Sequence, residues 1–404
     1  MTKHKESVRR IGIIYPFANF DSVPSLYNTA ILLAQHGYEI DIFTCFDQDY
    51  LPPVFTEEQI RLISLFRPMG LFQSRSLGDM LRYPLNKFIK FIQPLRFLYY
   101  HKLHPYNYLL GVDPEGLILA FRFTRWSPMP IIYYSLELLF TDEIKNPFTR
   151  KRKQRERLLS QRAAFVIIQD EERAELLIKE NGLVRERLLC VPNAPSGCGE
   201  QKRSTYLREK FGLPPETKIV LHTGSLGEWT GIHHLIASTR DWPENWKLVV
   251  HTRYRAEKSW SNYIDRLVAL TEPGRVIFST EPLPQSQYDQ IVQSADIGVA
   301  FYCEMPGQYT QKNIRHIGLS SGKTAYYLKY GIPVLVNNVE GLRKLVTETS
   351  CGEWVDDPTQ TTEAVRRMLT CYDQYSVNAL NAYHDRLEFS SKFTPVLQAL
   401  KQLP

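Results

Sequence analysis

No stretch of 18 or more apolar residues occurs in the chain, and its opening residues, Met1-Thr2-Lys3-His4-Lys5-Glu6, lack the apolar core of a secretory signal. A helical membrane span and an export signal are therefore not expected, and the reading is a soluble cytoplasmic protein. Cysteine is sparse. Cys45, Cys190, Cys198, Cys303, Cys351 and Cys371 are scattered, with no CxxC pair to hold zinc and no dense framework of bridges, so reduced thiols are expected. Charge of either sign is nearly balanced: 49 Lys and Arg against 43 Asp and Glu leave a net +6, which suits anionic partners without choosing among them. What is present is globular. With 43% hydrophobic, 12% aromatic and 23% charged residues over 404 positions, the chain exceeds one comfortable core and can fill two.

The first strand is Ile11-Gly12-Ile13-Ile14-Tyr15, an apolar run ended by turn residues from Pro16 to Ser22. Ser22 or Ser25 can cap a helix reaching about Gln35, Gly37 stops it, and Tyr38 to Thr44 resumes as a strand. Strand, helix and strand in so short a span imply a parallel βαβ unit. The beat continues through Tyr108–Val112, Ile131–Tyr134 and Ala164–Ile168, then breaks at Val191-Pro192-Asn193-Ala194-Pro195-Ser196-Gly197, which reads as a linker. It restarts with Lys218–His222, Lys247–Val250, Arg275–Phe278, Ile297–Ala300 and Pro333–Val336. Two parallel sheets follow, with no residue-level repeat between the halves. Ligands are expected beyond the carboxyl ends of the strands, where the sheets face each other.

The loop Gly318-Leu319-Ser320-Ser321-Gly322-Lys323-Thr324 precedes a helical segment at Ala325–Tyr330. Small residues, backbone amides at a helix start and one lysine make a cradle for phosphate. Two sharper motifs share its letters. A P-loop needs four residues between its glycines and a strand before it, whereas here there are three residues and a polar approach. The same polar approach, Gln311 to His316, argues against Ser320 as a nucleophile on a GxSxG elbow. Thr223-Gly224-Ser225-Leu226-Gly227 follows the first strand of the second half, and glycine there lets a backbone come close to a ligand. Arg253 and Arg255 follow the next strand and suit a diphosphate, because a guanidinium fork binds oxygens in pairs. Asp47-Gln48-Asp49 spells DxD but reads as a solvated loop, and no metal site is expected. Arg75, Arg82, Lys87, Lys90, Arg96 and Lys102 alternate with apolar residues between 75 and 104. That pattern fits an anionic membrane surface or, equally, a core-facing helix pair with a basic outer side.

Several pieces, in this order and spacing, resemble glycosyltransferase family 4 and its GT-B relatives: Val112-Asp113-Pro114-Glu115-Gly116, Ile132 to Leu138, Val191-Pro192-Asn193-Ala194, Thr223-Gly224-Ser225-Leu226, Ser321-Gly322-Lys323 with Tyr327-Leu328, and Gly331-Ile332-Pro333-Val334. The resemblance implies an α/β fold of two Rossmann-like doubly wound domains facing across a cleft. An acceptor domain would span 1–195 and a nucleotide-sugar donor domain 196–384, with a C-terminal helix of 385–404 packing back on the first. It implies Lys323, Arg253 and Glu137 as catalytic residues, Gly224, Ser225, Leu283, Ser321, Gly322, Thr324 and Tyr326 around the donor, and Asn19, Asp113 and Glu115 on the acceptor side.

The activity implied is retaining, metal-independent transfer from a nucleotide diphosphate sugar to a glycan or lipid-linked acceptor of the cell envelope. No cofactor and no nucleic-acid partner are expected, and the place of work is the cytoplasm, with a peripheral position on the anionic inner face of the plasma membrane left open. Tyr326 stands where relatives carry Glu, Leu136 where they often carry His, and Thr230 where a basic residue is common. Those departures leave a non-catalytic nucleotide-sugar-binding protein, or a sugar-nucleotide epimerase, as alternatives.

Overall fold

Apolar runs without alternation bury both faces, and such strands stack side by side under helices. A computed structural model, which describes residues 9–46, 51–65, 92–252, 258–281, 283–305 and 310–403, shows them doing so twice. The first sheet contains β1 (Arg10–Tyr15), β2 (Glu39–Thr44), β3 (Ile60–Ser64), β4 (Tyr108–Val112), β5 (Ile131–Tyr134), β6 (Val166–Ile168) and β7 (Leu188–Cys190). Its order is β3-β2-β1-β4-β5-β6-β7, and every pairing is parallel. The second sheet contains β8 (Lys218–Thr223), β9 (Trp246–Thr252), β10 (Val276–Thr280), β11 (Ile297–Ala300), β12 (Val334–Asn337) and β13 (Gly352–Val355). Its order is β10-β9-β8-β11-β12-β13, again all parallel. In each sheet the order reverses beside the first strand, between β1 and β4 and between β8 and β11, which opens a crevice at the strand ends.

Three edge strands, β3, β7 and β13, are additions to the strands expected from sequence. The first helix also differs from expectation. It runs Pro24–Gln35 with proline in its first turn and Val23 at the cap position, and no side chain caps it. Proline suits that place because its missing N–H would be unpaired there anyway. The Ser25 amide instead donates to Asn193 Oδ1 at 3.1 Å, so the segment after β7 does the work of a cap.

That segment is pinned rather than loose. Asn28 Nδ2 donates to the Ala194 carbonyl at 3.1 Å, and the Tyr383 hydroxyl donates to the Pro195 carbonyl at 2.7 Å. Beyond the second sheet the helix Phe389–Gln402 crosses back. Its Phe389, Phe393, Val396, Leu397 and Leu400 join the core that contains Ile11, Ile13 and Leu26 of the first lobe.

One glycine decides how the first crevice forms. A Cβ on Gly116 would stand 2.3 Å from the carbonyl oxygen of Ile14, so only glycine lets the helix Asp113–Phe123 start directly against β1. All six cysteines are free thiols.

Candidate active site

A cleft of about 720 Å³ separates the two lobes, with walls made by the loops that leave the carboxyl ends of the strands. On the second lobe β8 ends at Thr223. Its amide donates to the Tyr327 hydroxyl at 3.1 Å, while that hydroxyl donates to the Leu221 carbonyl at 2.9 Å. Gly224 follows with φ of 106°, a backbone conformation that strains any residue with a Cβ, and opens toward the cleft.

Lys323 sits at the start of the helix Gly322–Lys329, in the same wall. Its Nζ is buried, has no hydrogen-bond partner in the structure, and lies 4.6 Å from the centroid of the Tyr302 ring. Burial pulls its pKa down from 10.5 to about 7. Tyr302 is held by Ser321, whose hydroxyl lies 2.8 Å from the phenol and 2.7 Å from the hydroxyl of Thr324. Ser321 and Thr324 thus stand behind the wall rather than on it, and Leu283 packs into the core of this lobe instead of lining the cleft. Tyr326 does line it, with its hydroxyl accepting from Gln285 Nε2 at 2.8 Å and its ring edge-on to Tyr288 at 5.0 Å. Arg253, Asp47, Asp49 and the basic residues from Arg75 to Lys90 fall outside the described residues.

The first lobe presents Asn19, Asp113, Glu115 and Glu137. Asn19 accepts from the Tyr15 hydroxyl at 2.9 Å, and Glu115 forms an ion pair with Arg152, which also lines the cleft. Asp113 is buried in a left-handed backbone conformation, φ 54°. Its Oδ1 accepts the amides of Leu136 and Glu137 at 2.8 and 3.0 Å, which fixes the turn after β5. Burial, reinforced by the charge of Glu137, pushes the Asp113 carboxyl well above the usual carboxylate range. Glu137 opens onto the cleft at this turn. Its carboxyl is exposed to the cleft, but the protein packed around it strips away part of its water and raises its pKa, while Arg173 and Asn313 oppose the rise.

Sequence reading missed the residues that tie the lobes together. Arg173 is fully buried, with Nη1 donating to the His316 carbonyl at 2.8 Å and Nη2 to the Leu136 carbonyl at 2.7 Å. Its signal was legible: in the helix Glu171–Asn181, Arg173 shares a face with Leu177 and Asn181, all of them buried. Asn193 donates its amide to the Leu319 carbonyl and its side chain to the Ser320 carbonyl, each at 3.0 Å. The loop carrying Lys323 is therefore registered against the first helix. A short helix, Gln311–Arg315, and a 3-10 turn, Gly318–Ser320, precede this loop, so neither a P-loop nor a nucleophile elbow is formed, since both need a strand there.

No family model matches the chain, and no curated protein matches its sequence. Solved structures do match its shape. A sucrose-phosphate synthase from Thermosynechococcus elongatus superposes with a TM-score of 0.71 at 17% identity, covering 98% of both chains. HepE from Anabaena, in complex with UDP-glucose, gives 0.69 at 13% identity over 98% of this chain and 100% of that one. A glycosyltransferase from Rickettsia africae gives 0.66 at 11% identity over 98% and 99%. The chain has the GT-B fold: two doubly wound lobes with a cleft between them.

Proposed function

We propose that the protein is a glycosyltransferase that takes a nucleotide diphosphate sugar against its second lobe and an acceptor against its first. The observation that carries this reading is the buried, unpartnered amine of Lys323 at a helix start facing the cleft. A cation in that position awaits an anion, and the helix amino end adds its own amides. The diphosphate of a sugar nucleotide supplies both the charge and the reach to bring a sugar into the cleft.

In this reading the bond between the anomeric carbon and the diphosphate oxygen breaks with its electron pair going to the diphosphate. Lys323 stabilises that negative charge, and Arg253, the residue that follows β9 in the sequence, is assigned to the same diphosphate. Glu137 offers its carboxylate to the positive charge that develops on the sugar. Gly224, Ser225, Gly322 and Tyr326 surround the donor, and Asn19, Asp113 and Glu115 meet the acceptor, a glycan or lipid-linked saccharide of the cell envelope. The acceptor hydroxyl oxygen bonds to the anomeric carbon from the face the diphosphate leaves, its proton passing to the departing diphosphate oxygen, so transfer proceeds with retention and without a metal ion. The UDP-glucose held by HepE makes a uridine donor the first to try.

The acceptor class and the outer surface of the first lobe agree. Leu95, Tyr99 and Leu103 are exposed at four-residue spacing in the helix over 92–103, with Lys102 beside them, and Arg150, Lys151, Arg155 and Arg157 are exposed on the helix Pro147–Ser160. Apolar side chains among basic ones suit an anionic bilayer, where a lipid-linked acceptor would reside. No described helix is long and apolar enough to cross one.

Thermal shift against UDP, GDP, ADP and TDP tests the donor site, because a ligand bound only by the folded state raises the melting temperature. A shift with one nucleotide that disappears in Lys323→Ala is expected. No shift with any of them would overturn the reading. With a donor in hand, product anomer analysis by NMR and activity in EDTA test retention and metal independence. Glu137→Gln is expected to lower kcat by about 100-fold while leaving nucleotide affinity unchanged.

A further inference from the structure

The turn Ser135–Leu138 brings Glu137 into the cleft, and side chains from both lobes hold it. From its own lobe, Gln169 Nε2 donates to the Ser135 carbonyl at 2.7 Å, Arg173 donates to the Leu136 carbonyl, and Asp113 accepts the amides of Leu136 and Glu137. From across the cleft comes Asn313, 5% exposed, in the helix Gln311–Arg315. Its Oδ1 accepts from the Leu138 amide at 2.9 Å and from Arg173 Nη2 at 3.1 Å. Its Nδ2 donates to Glu137 Oε2.

This set of contacts assigns the amide's orientation. Two N–H donors converge on one terminal atom of Asn313, which must be its oxygen, so the atom facing the Glu137 carboxylate is the NH₂. Leu138 and Arg173 thereby aim the donor at the carboxylate. Asn313 belongs to the lobe that carries Lys323, whereas Glu137 belongs to the other.

We infer that Asn313 is a positioning residue for the Glu137 carboxylate, delivered from the opposite lobe, so that this carboxylate is oriented only while the two lobes are held together. The inference rests on the role proposed above for Glu137. Around that carboxylate stand Arg173, the raised carboxyl of Asp113 and the phenol of Tyr302, with the Glu115–Arg152 pair further along the wall. Arg173 and the Asn313 amide favour the charged form of Glu137, against the partial loss of water around it. Separation of the lobes would take the Asn313 donor away from the carboxylate. Donor binding to the Lys323 lobe and readiness of the carboxylate on the facing lobe are thus linked through one side chain.

The variant that isolates the contact is Asn313→Asp. It keeps an oxygen for Leu138 and Arg173 but turns a carboxylate oxygen toward Glu137 in place of the amide donor. Asn313→Ser, which removes the reach without adding charge, is the second variant. Each is compared with the parent by carboxyl titration of protein labelled with ¹³C-glutamate, the Glu137 signal being assigned by its loss in Glu137→Gln. The expected result is a Glu137 titration moved upward by about one pH unit or more in Asn313→Asp and less in Asn313→Ser. The acidic limb of the kcat/KM profile should move with it, kcat at neutral pH should fall about tenfold or more, and the Kd for UDP should change less than about twofold. A Glu137 titration and acidic limb unchanged in the folded variants would overturn the inference, even if kcat fell, because a purely structural joint would not move them. A parent protein that turns over no nucleotide sugar would instead overturn the transferase reading, while the titration would still report on Asn313.

Discussion

The Nζ of Lys323 lies 4.6 Å from the centroid of the Tyr302 ring, and the structure gives it no hydrogen-bond acceptor. Its charge meets a π face and a helix amino end, which attract a cation weakly or oppose it. The nearby His222 is buried and held neutral, with its own pKa pushed down by burial and by Lys323. The amine is therefore poised near pH 7 and gains its full charge when an anion arrives.

Nucleotide binding should take up a proton. Lys323→Ala is expected to weaken UDP binding by about 10- to 100-fold, the worth of one charge-assisted hydrogen bond. Below pH 7 the amine of the parent is already protonated and the Kd should be flat, whereas above about 7 it should rise toward tenfold per pH unit. Titration calorimetry in buffers of different ionisation enthalpy at pH 8 reads the proton directly. A parental Kd that does not change between pH 7 and 9 contradicts this.

The same amine affects stability with a definite sign. Its folded pKa of about 7 lies below the ordinary 10.5, so between those values the unfolded chain binds more protons and stability rises with pH. The cost of burying the charge is fully present below pH 7. In the absence of nucleotide, Lys323→Met should melt above the parent at pH 6.5, with the gap narrowing as pH rises through about 9. Differential scanning fluorimetry across that range decides it.

Asp113 combines a backbone requirement with a hydrogen-bonding one. At φ 54° it tolerates Asn, which keeps an oxygen for the amides of Leu136 and Glu137. Asp113→Asn should shift stability by less than about 1 kcal/mol. Asp113→Val places a β-branched residue in the left-handed region and orphans both amides, and should cost about 3 kcal/mol by urea denaturation.

Arg173 is buried without exposure and bonds to both lobes. Arg173→Met fits the space but leaves the His316 and Leu136 carbonyls unpaired and removes the cation that favours ionised Glu137. A loss of about 3 kcal/mol is expected, again by urea denaturation, since breaking a buried charge network typically costs that much. Arg173→Lys should recover only part, because an ammonium cannot reproduce the fork that spans these acceptors.

The central strands were legible because they read as unbroken apolar runs; β1, β4, β5, β8, β11 and β12 are buried along nearly their whole lengths. The edges were not. Ile60-Arg61-Leu62-Ile63-Ser64 in β3 has two polar residues among five, β7 is three residues long, and β13 is Gly-Glu-Trp-Val. An edge strand buries one side and pairs on one flank, so its sequence carries only a weak pattern. The loop with Lys323 could be read from its small residues and its lysine. The placement of Leu283, Ser321 and Thr324 behind the cleft wall could not, because a local motif does not say which of its side chains face a neighbouring strand.

By itself the sequence determined two parallel sheets, the break in their rhythm between Val191 and Gly197 and a phosphate-suited lysine at a helix start, since these follow from periodicity and turn chemistry within short windows. Only the tertiary structure decided that Asn313 meets Glu137, that Arg173 bridges the lobes, and that the Lys323 amine is buried without a partner. Asn313 lies 176 positions from Glu137, and Arg173 lies 143 from His316. Contacts at such separations depend on how two independently wound sheets dock, and on burial that no local pattern encodes.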